Sequence, residues 1–211
     1  MTNLQIFAPF DGWLSPLDEV PDPVFAQRML GDGLAIDPTS GILLAPCAGE
    51  IVALPATAHA VSIRTAQGID LLIHIGIDTV RLGGRGFEAR VRQGAAVRAG
   101  DELIRVDLDV VARAAQSLMT PIVVTPLDGL SLRRPRAGGP VSAGDLLFEA
   151  VDLISERDAG ACFGFTDRLI RSGQDPREFL RALIDHLRAV FLVQHAAAAQ
   201  EILDVADDAL E

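Results

Sequence analysis

Two of the four histidines, His59 and His74, bracket the stretch "HAVSIRTAQGIDLLIH". An imidazole on a rigid strand can act as a nucleophile, a proton carrier or a metal ligand, according to which ring nitrogen carries the hydrogen. His74 lies inside "LLIHIGIDTV", an apolar run of strand character. There it is either a core residue with its hydrogen bonds met or a reactive nitrogen. Its neighbours favour chemistry. Asp78 follows four residues on, Gly76 permits close backbone approach, and Thr57 precedes His59 by two. Two rings, a carboxylate and a hydroxyl can supply a nucleophilic nitrogen and donors for an anion. The same set could instead bind zinc.

The backbone must bring these rings together. Residues 59–65 and 69–75 have strand composition, with a turn at Ala66, Gln67 and Gly68. If Thr65 faces Gly68, paired positions sum to 133 and His59 stands directly opposite His74. Opposed side chains share a face, with Cβ atoms about 5 Å apart. A slip of one residue would send the rings to opposite faces.

The surrounding sequence predicts the sheets that hold this hairpin. "IFAPFDGWL" (6–14), "LLAPCAGEI" (43–51) and "VVTPLDGLS" (123–131) each place a Pro three residues before a Gly. "GAAVRAGDELIRV" (94–106) and "GGPVSAGDLLFEA" (138–150) share an A-G-D turn ahead of an apolar run. Short repeated strands with Pro/Gly punctuation predict an all-β domain, an antiparallel sandwich or partly closed barrel. From about residue 152 the texture turns helical. Gly173 ends one helix, and Asp175, Pro176 and Glu178 open a second, with a capping box and an apolar stripe from Phe179 to Phe191. The expected organisation is a β domain over 1–151 and an α-helical tail over 152–211, of two main helices and a short third. His186 and His195 fall on the tail and read as surface or boundary positions.

Composition closes several classes. The net charge is −11, and acids outnumber arginines in both parts, so no basic groove for nucleic acid is present. Every basic residue other than histidine is arginine. Without lysine there is no lipoyl or biotinyl attachment point, no Schiff base and no P-loop. No apolar run is long enough to span a membrane, and "MTNLQIFAPFDG" has no secretory signal pattern. Cys47 and Cys162 form no CxxC pair, and Cys47, in "APCAG", reads as a buried small residue. The expected location is cytoplasmic.

The segments "APFDGWLSPLDEVPDPVFAQRMLGDGLAIDPTSG", "LLAPCAGEI", "TAHAVSI", "LLIHIGIDTV", "GRGF", "VRAGDELIRVDLDVV" and "SLMTPIVV" carry a family resemblance. Through them, residues 1–151 resemble the glucose-type enzyme IIA of the bacterial phosphoenolpyruvate-dependent sugar phosphotransferase system. The resemblance implies an antiparallel β-sandwich that takes a phosphoryl group from the phosphocarrier HPr. It passes the group to a cysteine of an enzyme IIB, part of the IIB/IIC sugar permease. His74 would be the acceptor through Nε2, with Nδ1–H held by the Gly76 carbonyl. His59 would hydrogen-bond the phosphoryl group, with Thr57 assisting. Asp78 and Asp22 would flank the site, disfavouring an over-stable phosphohistidine or meeting an arginine of HPr. Val24, Phe25, Met29, Leu72 and Val80 would form the apolar rim on which partners dock.

No cofactor is implied, beyond a weak zinc site that His59 and His74 could share with a partner carboxylate. Two departures stand out: the chain begins almost at its first strand, without the longer leader of some members, and Pro55 stands where an aromatic is common. A zinc hydrolase of the lysostaphin type is the alternative reading, but its usual HxH pair is missing. Another is a regulatory protein whose partners change on phosphorylation. The tail is similar to the helical region after the ATPase core of the DNA polymerase III γ/τ subunit.

Overall fold

The computed structural model of the chain describes residues 3–125, 130–133 and 138–152, together with Arg177 and Arg181. The chain divides into two units, Met1–Arg157 and Asp158–Glu211. The first contains all the strands named here. Of the expected tail, Arg177 and Arg181 are helical; its caps, apolar stripe, His186 and His195 lie outside the described residues.

Among the described residues fourteen strands follow one another in chain order. The first seven are β1 (Asn3–Phe7), β2 (Gly12–Pro16), β3 (Asp32–Pro38), β4 (Ile42–Leu44), β5 (Gly49–Ala53), β6 (Ala60–Arg64) and β7 (Asp70–His74). Then come β8 (Phe87–Ala89), β9 (Ala96–Val97), β10 (Glu102–Val106), β11 (Thr120–Val124), β12 (Leu130–Arg133), β13 (Gly139–Val141) and β14 (Leu146–Asp152). Among the described residues of this unit two short α-helices, α1 (Pro23–Ala26) and α2 (Leu108–Ala112), and two 3-10 turns, Leu17–Glu19 and Thr79–Leu82, interrupt them. Every strand pairing is antiparallel. The strands form one eight-stranded sheet, β13-β2-β3-β11-β7-β6-β5-β9, and two three-stranded sheets, β1-β14-β12 and β4-β10-β8. The sheets stay open, so the outcome is the sandwich and not a closed barrel.

The sequence repeats are structural repeats. Ala8 N–H donates to Asp145 O, and Ala45 N–H donates to Asp101 O, at 2.7 and 2.8 Å. In return Gly144 N–H reaches Ala8 O, and Gly100 N–H reaches Ala45 O. Each A-G-D turn is closed by its own aspartate, through Asp101 on Arg98 N–H and Asp145 on Ser142 N–H. The first two Pro-x-x-Gly segments also bind one another reciprocally: Phe7 N–H to Pro46 O, and Leu44 N–H to Pro9 O, both 2.9 Å. Positions 7 and 9 in one segment match 44 and 46 in the other, so the two copies are related by a local two-fold. Residues 126–129 of the third segment lie outside the described ones.

Period-2 alternation sorts the large sheet into two faces. Leu34 and Ile36, Leu71 and Ile73, and Ile122 and Val124 enter the main core with Ile6, Phe10 and Phe148. The residues between them turn outward. Ala35 and Val123 join Leu17, Val20, Phe25 and Ile77 in a second, smaller cluster, against which Leu72 packs. This outer cluster lies on the face that carries the even-numbered positions of β7, and His74 is the last of these.

Candidate functional site

The hairpin register differs by one residue from the expected one. Ala60 pairs with His74, Val61 with Ile73 and Arg64 with Asp70, so paired positions sum to 134. The cause is the turn. Thr65 pairs with Ile69 through Thr65 N–H to Ile69 O, and Gly68 N–H returns to Thr65 O with Gly68 at φ +79°. This is a three-residue loop with glycine in the left-handed position, which adds one residue to the connection. The Thr65 side chain caps it by accepting the Ile69 N–H at 3.1 Å.

Despite the slip, the rings meet. The centroids of His59 and His74 lie 5.2 Å apart, edge to face at 72°. His59 escapes the alternation because it lies just outside β6 and follows Ala58, whose φ is +50°. Had the alternation continued, Ala58 would face outward with Ala60; instead it packs into the main core. The left-handed residue inverts the parity and turns the His59 ring to the His74 face. The ladder still holds the backbone there, with Ile75 N–H donating to His59 O at 2.8 Å.

His74 Nδ1 lies 2.7 Å from Gly76 O. A carbonyl can only accept, so in the neutral ring Nδ1 carries the hydrogen and Nε2 keeps a free lone pair. Gly76 reaches this position with φ +66°, and a Cβ on it would stand 2.8 Å from Thr79 Cγ2 and 2.9 Å from Ser117 O. Phe25 packs against the His74 ring, centroid to centroid 5.6 Å with the planes tilted by 54°. Phe25, expected on the rim, is itself buried and supports the ring from below. Burial lowers the proton affinity of His74, opposed by the hydrogen bond to Gly76 and by the charge of Asp22. His59 is lowered too, first by burial and then by His74. Its Nδ1 shares a 2.6 Å hydrogen bond with the Thr57 hydroxyl.

The two aspartates are held by different devices. Asp22 caps α1 by accepting Val24 N–H at 2.8 Å, ahead of Pro23 at the first helical position. Asp78 stands in the left-handed conformation at φ +63° and lies 3.6 Å from Arg81 Nη1. Of the residues expected on the rim, Met29 and Val80 are 68% and 55% exposed, while Val24 and Leu72 are half-buried. Pro55, where the resemblance leads one to expect an aromatic, is exposed. Among the described residues no group of three or more His, Cys, Asp and Glu could hold a metal. Cys47 is buried, and burial pushes its thiol up to about 12. Sequence reasoning missed Thr79 and Thr120, two fully buried threonines beside Gly76. Their signal was weak: a threonine inside "HIGIDTV" and another opening "TPIVV".

A family model described as phosphoenolpyruvate-dependent sugar phosphotransferase system, EIIA 1, matches residues 4–129. The glucose-specific EIIA component of Halalkalibacterium halodurans is 49% identical over 140 residues, covering 66% of this chain and 81% of that protein. Its namesake in Mycoplasma capricolum subsp. capricolum is 46% identical over 145 residues, or 69% and 94% of the two chains. The solved structure of glucose permease IIA from Mycoplasma capricolum superposes with TM-score 0.68 at 45% identity, covering 71% of this chain and 96% of that one. Among the described residues no helix is long and apolar enough to cross a membrane.

Proposed function

The chain belongs to the EIIA 1 family of the phosphoenolpyruvate-dependent sugar phosphotransferase system, and we propose that it carries the phosphoryl group on Nε2 of His74. In this reading the group arrives from the phosphocarrier HPr and leaves to a cysteine of an enzyme IIB of the sugar permease. The observation that carries it is the Nδ1–Gly76 O contact of 2.7 Å, which leaves Nε2 as the ring's free nucleophile. On acceptance, the Nε2 lone pair forms the new N–P bond as the bond to the donor breaks, and the donor keeps that electron pair. Nδ1 retains its proton, so the phosphorylated ring is cationic. On donation, a cysteine thiolate attacks phosphorus, an S–P bond forms, and Nε2 recovers its pair.

The remaining residues take roles that their chemistry allows. Phosphoryl transfer needs positioning and electrostatic help from the protein more than covalent chemistry. In this reading the Thr57 hydroxyl, 2.6 Å from Nδ1 of His59, acts as the donor, and the hydrogen of that ring is then on Nε2, offered to the phosphoryl oxygens. The two rings thus hold opposite tautomers, one receiving phosphorus and one donating a hydrogen bond. Asp22, whose charge already favours the protonated His74 ring, steadies the cationic ring and repels the dianion bound to it. With Asp78 it keeps the phosphohistidine from becoming too stable to move on. Val24, Met29, Leu72 and Val80 give partners an apolar surface that excludes water from the N–P bond. His59 and His74 could also lend two nitrogens to zinc, completed by a partner carboxylate.

The test is mass spectrometry of the chain after incubation with phosphoenolpyruvate, enzyme I and HPr. The wild type and His186→Ala should each gain one phosphoryl group, and His74→Ala should gain none. His59→Ala should accept the group and pass it on slowly. Phosphorylation of His74→Ala, or normal onward transfer by His59→Ala, would refute the corresponding role.

A further inference from the structure

Thr79 and Thr120 are both fully buried. A buried hydroxyl costs free energy unless it is hydrogen-bonded, and these two bind the same peptide unit from opposite ends. Thr79 Oγ1–H donates to Ile75 O at 2.7 Å. Gly76 N–H donates to Thr120 Oγ1 at 3.3 Å, and the hydrogen of that hydroxyl goes on to Leu118 O at 3.0 Å. The next peptide unit is gripped as well: Ile77 N–H donates to Ser117 O at 2.8 Å, while Gly76 O faces His74 Nδ1. Gly76 is the pivot between these two planes. Having no side chain and a φ of +66°, it does little by itself to define the direction of its carbonyl.

We propose that Thr79 and Thr120 are positioning residues that clamp the Ile75–Gly76 peptide and so hold His74 in its Nδ1–H tautomer. Neither touches the phosphoryl group. They act through the Gly76 carbonyl: with the first plane released, the second is held only by Ile77 N–H on Ser117 O and can turn about that bond, and Nδ1 then loses the acceptor that keeps its hydrogen. The ring can then place the hydrogen on Nε2, where it blocks attack on phosphorus. The effect on phosphoryl transfer rests on His74 being the acceptor; the effect on the tautomer does not.

The experiment uses the full chain labelled with ¹⁵N-histidine, read by NMR, beside the rate of phosphorylation by phospho-HPr. The wild type should show His74 as a single Nδ1–H tautomer. Thr79→Val and Thr120→Val should each show the Nε2–H form. Each should accept the phosphoryl group roughly tenfold more slowly, the scale of one buried hydrogen bond. Thr79→Ser, which keeps the hydroxyl, should restore both readouts to within about twofold, the hydrogen bond being kept. Folded Val variants with an unchanged tautomer would overturn the proposal. Should the Val variants fail to fold, the Ser variant decides: loss of the Nδ1–H tautomer with the hydroxyl present overturns it too. A hydroxyl-dependent tautomer in a chain that never phosphorylates His74 would uphold the clamp and sink the carrier reading.

Discussion

Gly76→Ala separates backbone strain from packing at the point on which the site depends. A non-glycine residue in the left-handed region costs about 1–2 kcal/mol. A new Cβ would also stand 2.8 Å from Thr79 Cγ2 and 2.9 Å from Ser117 O. Thr79 cannot swing aside freely, since its hydroxyl is engaged with Ile75 O, and Ser117 O is backbone already accepting the Ile77 N–H. Overpacking of this kind costs a further ~1–3 kcal/mol. The expected total is about 2–5 kcal/mol. Gly68→Ala is the matched control: its φ is +79°, and nothing lies within 4 Å of the added Cβ. It should lose only the conformational part, about 1–2 kcal/mol. Urea denaturation of both variants measures the difference, and the phosphorylation assay should find Gly68→Ala close to wild type and Gly76→Ala impaired. If Gly76→Ala costs no more than Gly68→Ala, the tight bend under His74 is not the packed, clamped structure described above.

Other outcomes follow from the same geometry. Thr57→Val removes the 2.6 Å partner of His59 Nδ1 and should slow onward transfer by roughly tenfold while acceptance on His74 persists. This is checked by chasing the phosphorylated chain with enzyme IIB. Burial lowers the proton affinities of His74 and His59, so the unfolded chain binds more protons than the folded chain as pH falls below about 6.5. Their contribution to stability is present above that pH and is lost on acidification through the lowered folded values; His74→Gln should flatten the slope of denaturation midpoint against pH. In a Cys162→Ser background, Cys47, with its thiol pushed up to about 12, should resist a thiol reagent at pH 8 until denaturant is added. Met29→Asp and Val80→Asp, at exposed positions, should change stability by about 0.5 kcal/mol or less yet weaken HPr binding, as read by calorimetry.

Much of the architecture is legible along the chain because it is local. The A-G-D turns at 98–101 and 142–145 each need a glycine at φ +89° and an aspartate that closes the turn, and both requirements appear as a repeated sequence. Strands β6 and β7 follow from their composition, and the closeness of His59 and His74 follows from the short connection between them. The spacing of the Pro-x-x-Gly segments marks them as copies. That the copies grip each other through Phe7, Pro9, Leu44 and Pro46 depends on chain brought together from distant positions.

Register and facing were settled only by the fold. Whether Thr65 pairs with Gly68 or Ile69 turns on a three-residue loop whose glycine closes back on Thr65, a choice too close in energy to be read from composition. The parity inversion at Ala58 is less legible still, since alanine rarely takes a positive φ, and here the main core that receives its methyl makes it do so. Thr79 and Thr120 gain their meaning from a bend that unites residues 75–79 with 117–120. Residue types determined which reactive groups the chain could offer. The bond that leaves Nε2 of His74 without the hydrogen is local, to the carbonyl of Gly76 two residues on. The bend that presents this carbonyl is tied to residues 117–120 by contacts from far along the chain, and no local pattern of residue types shows those.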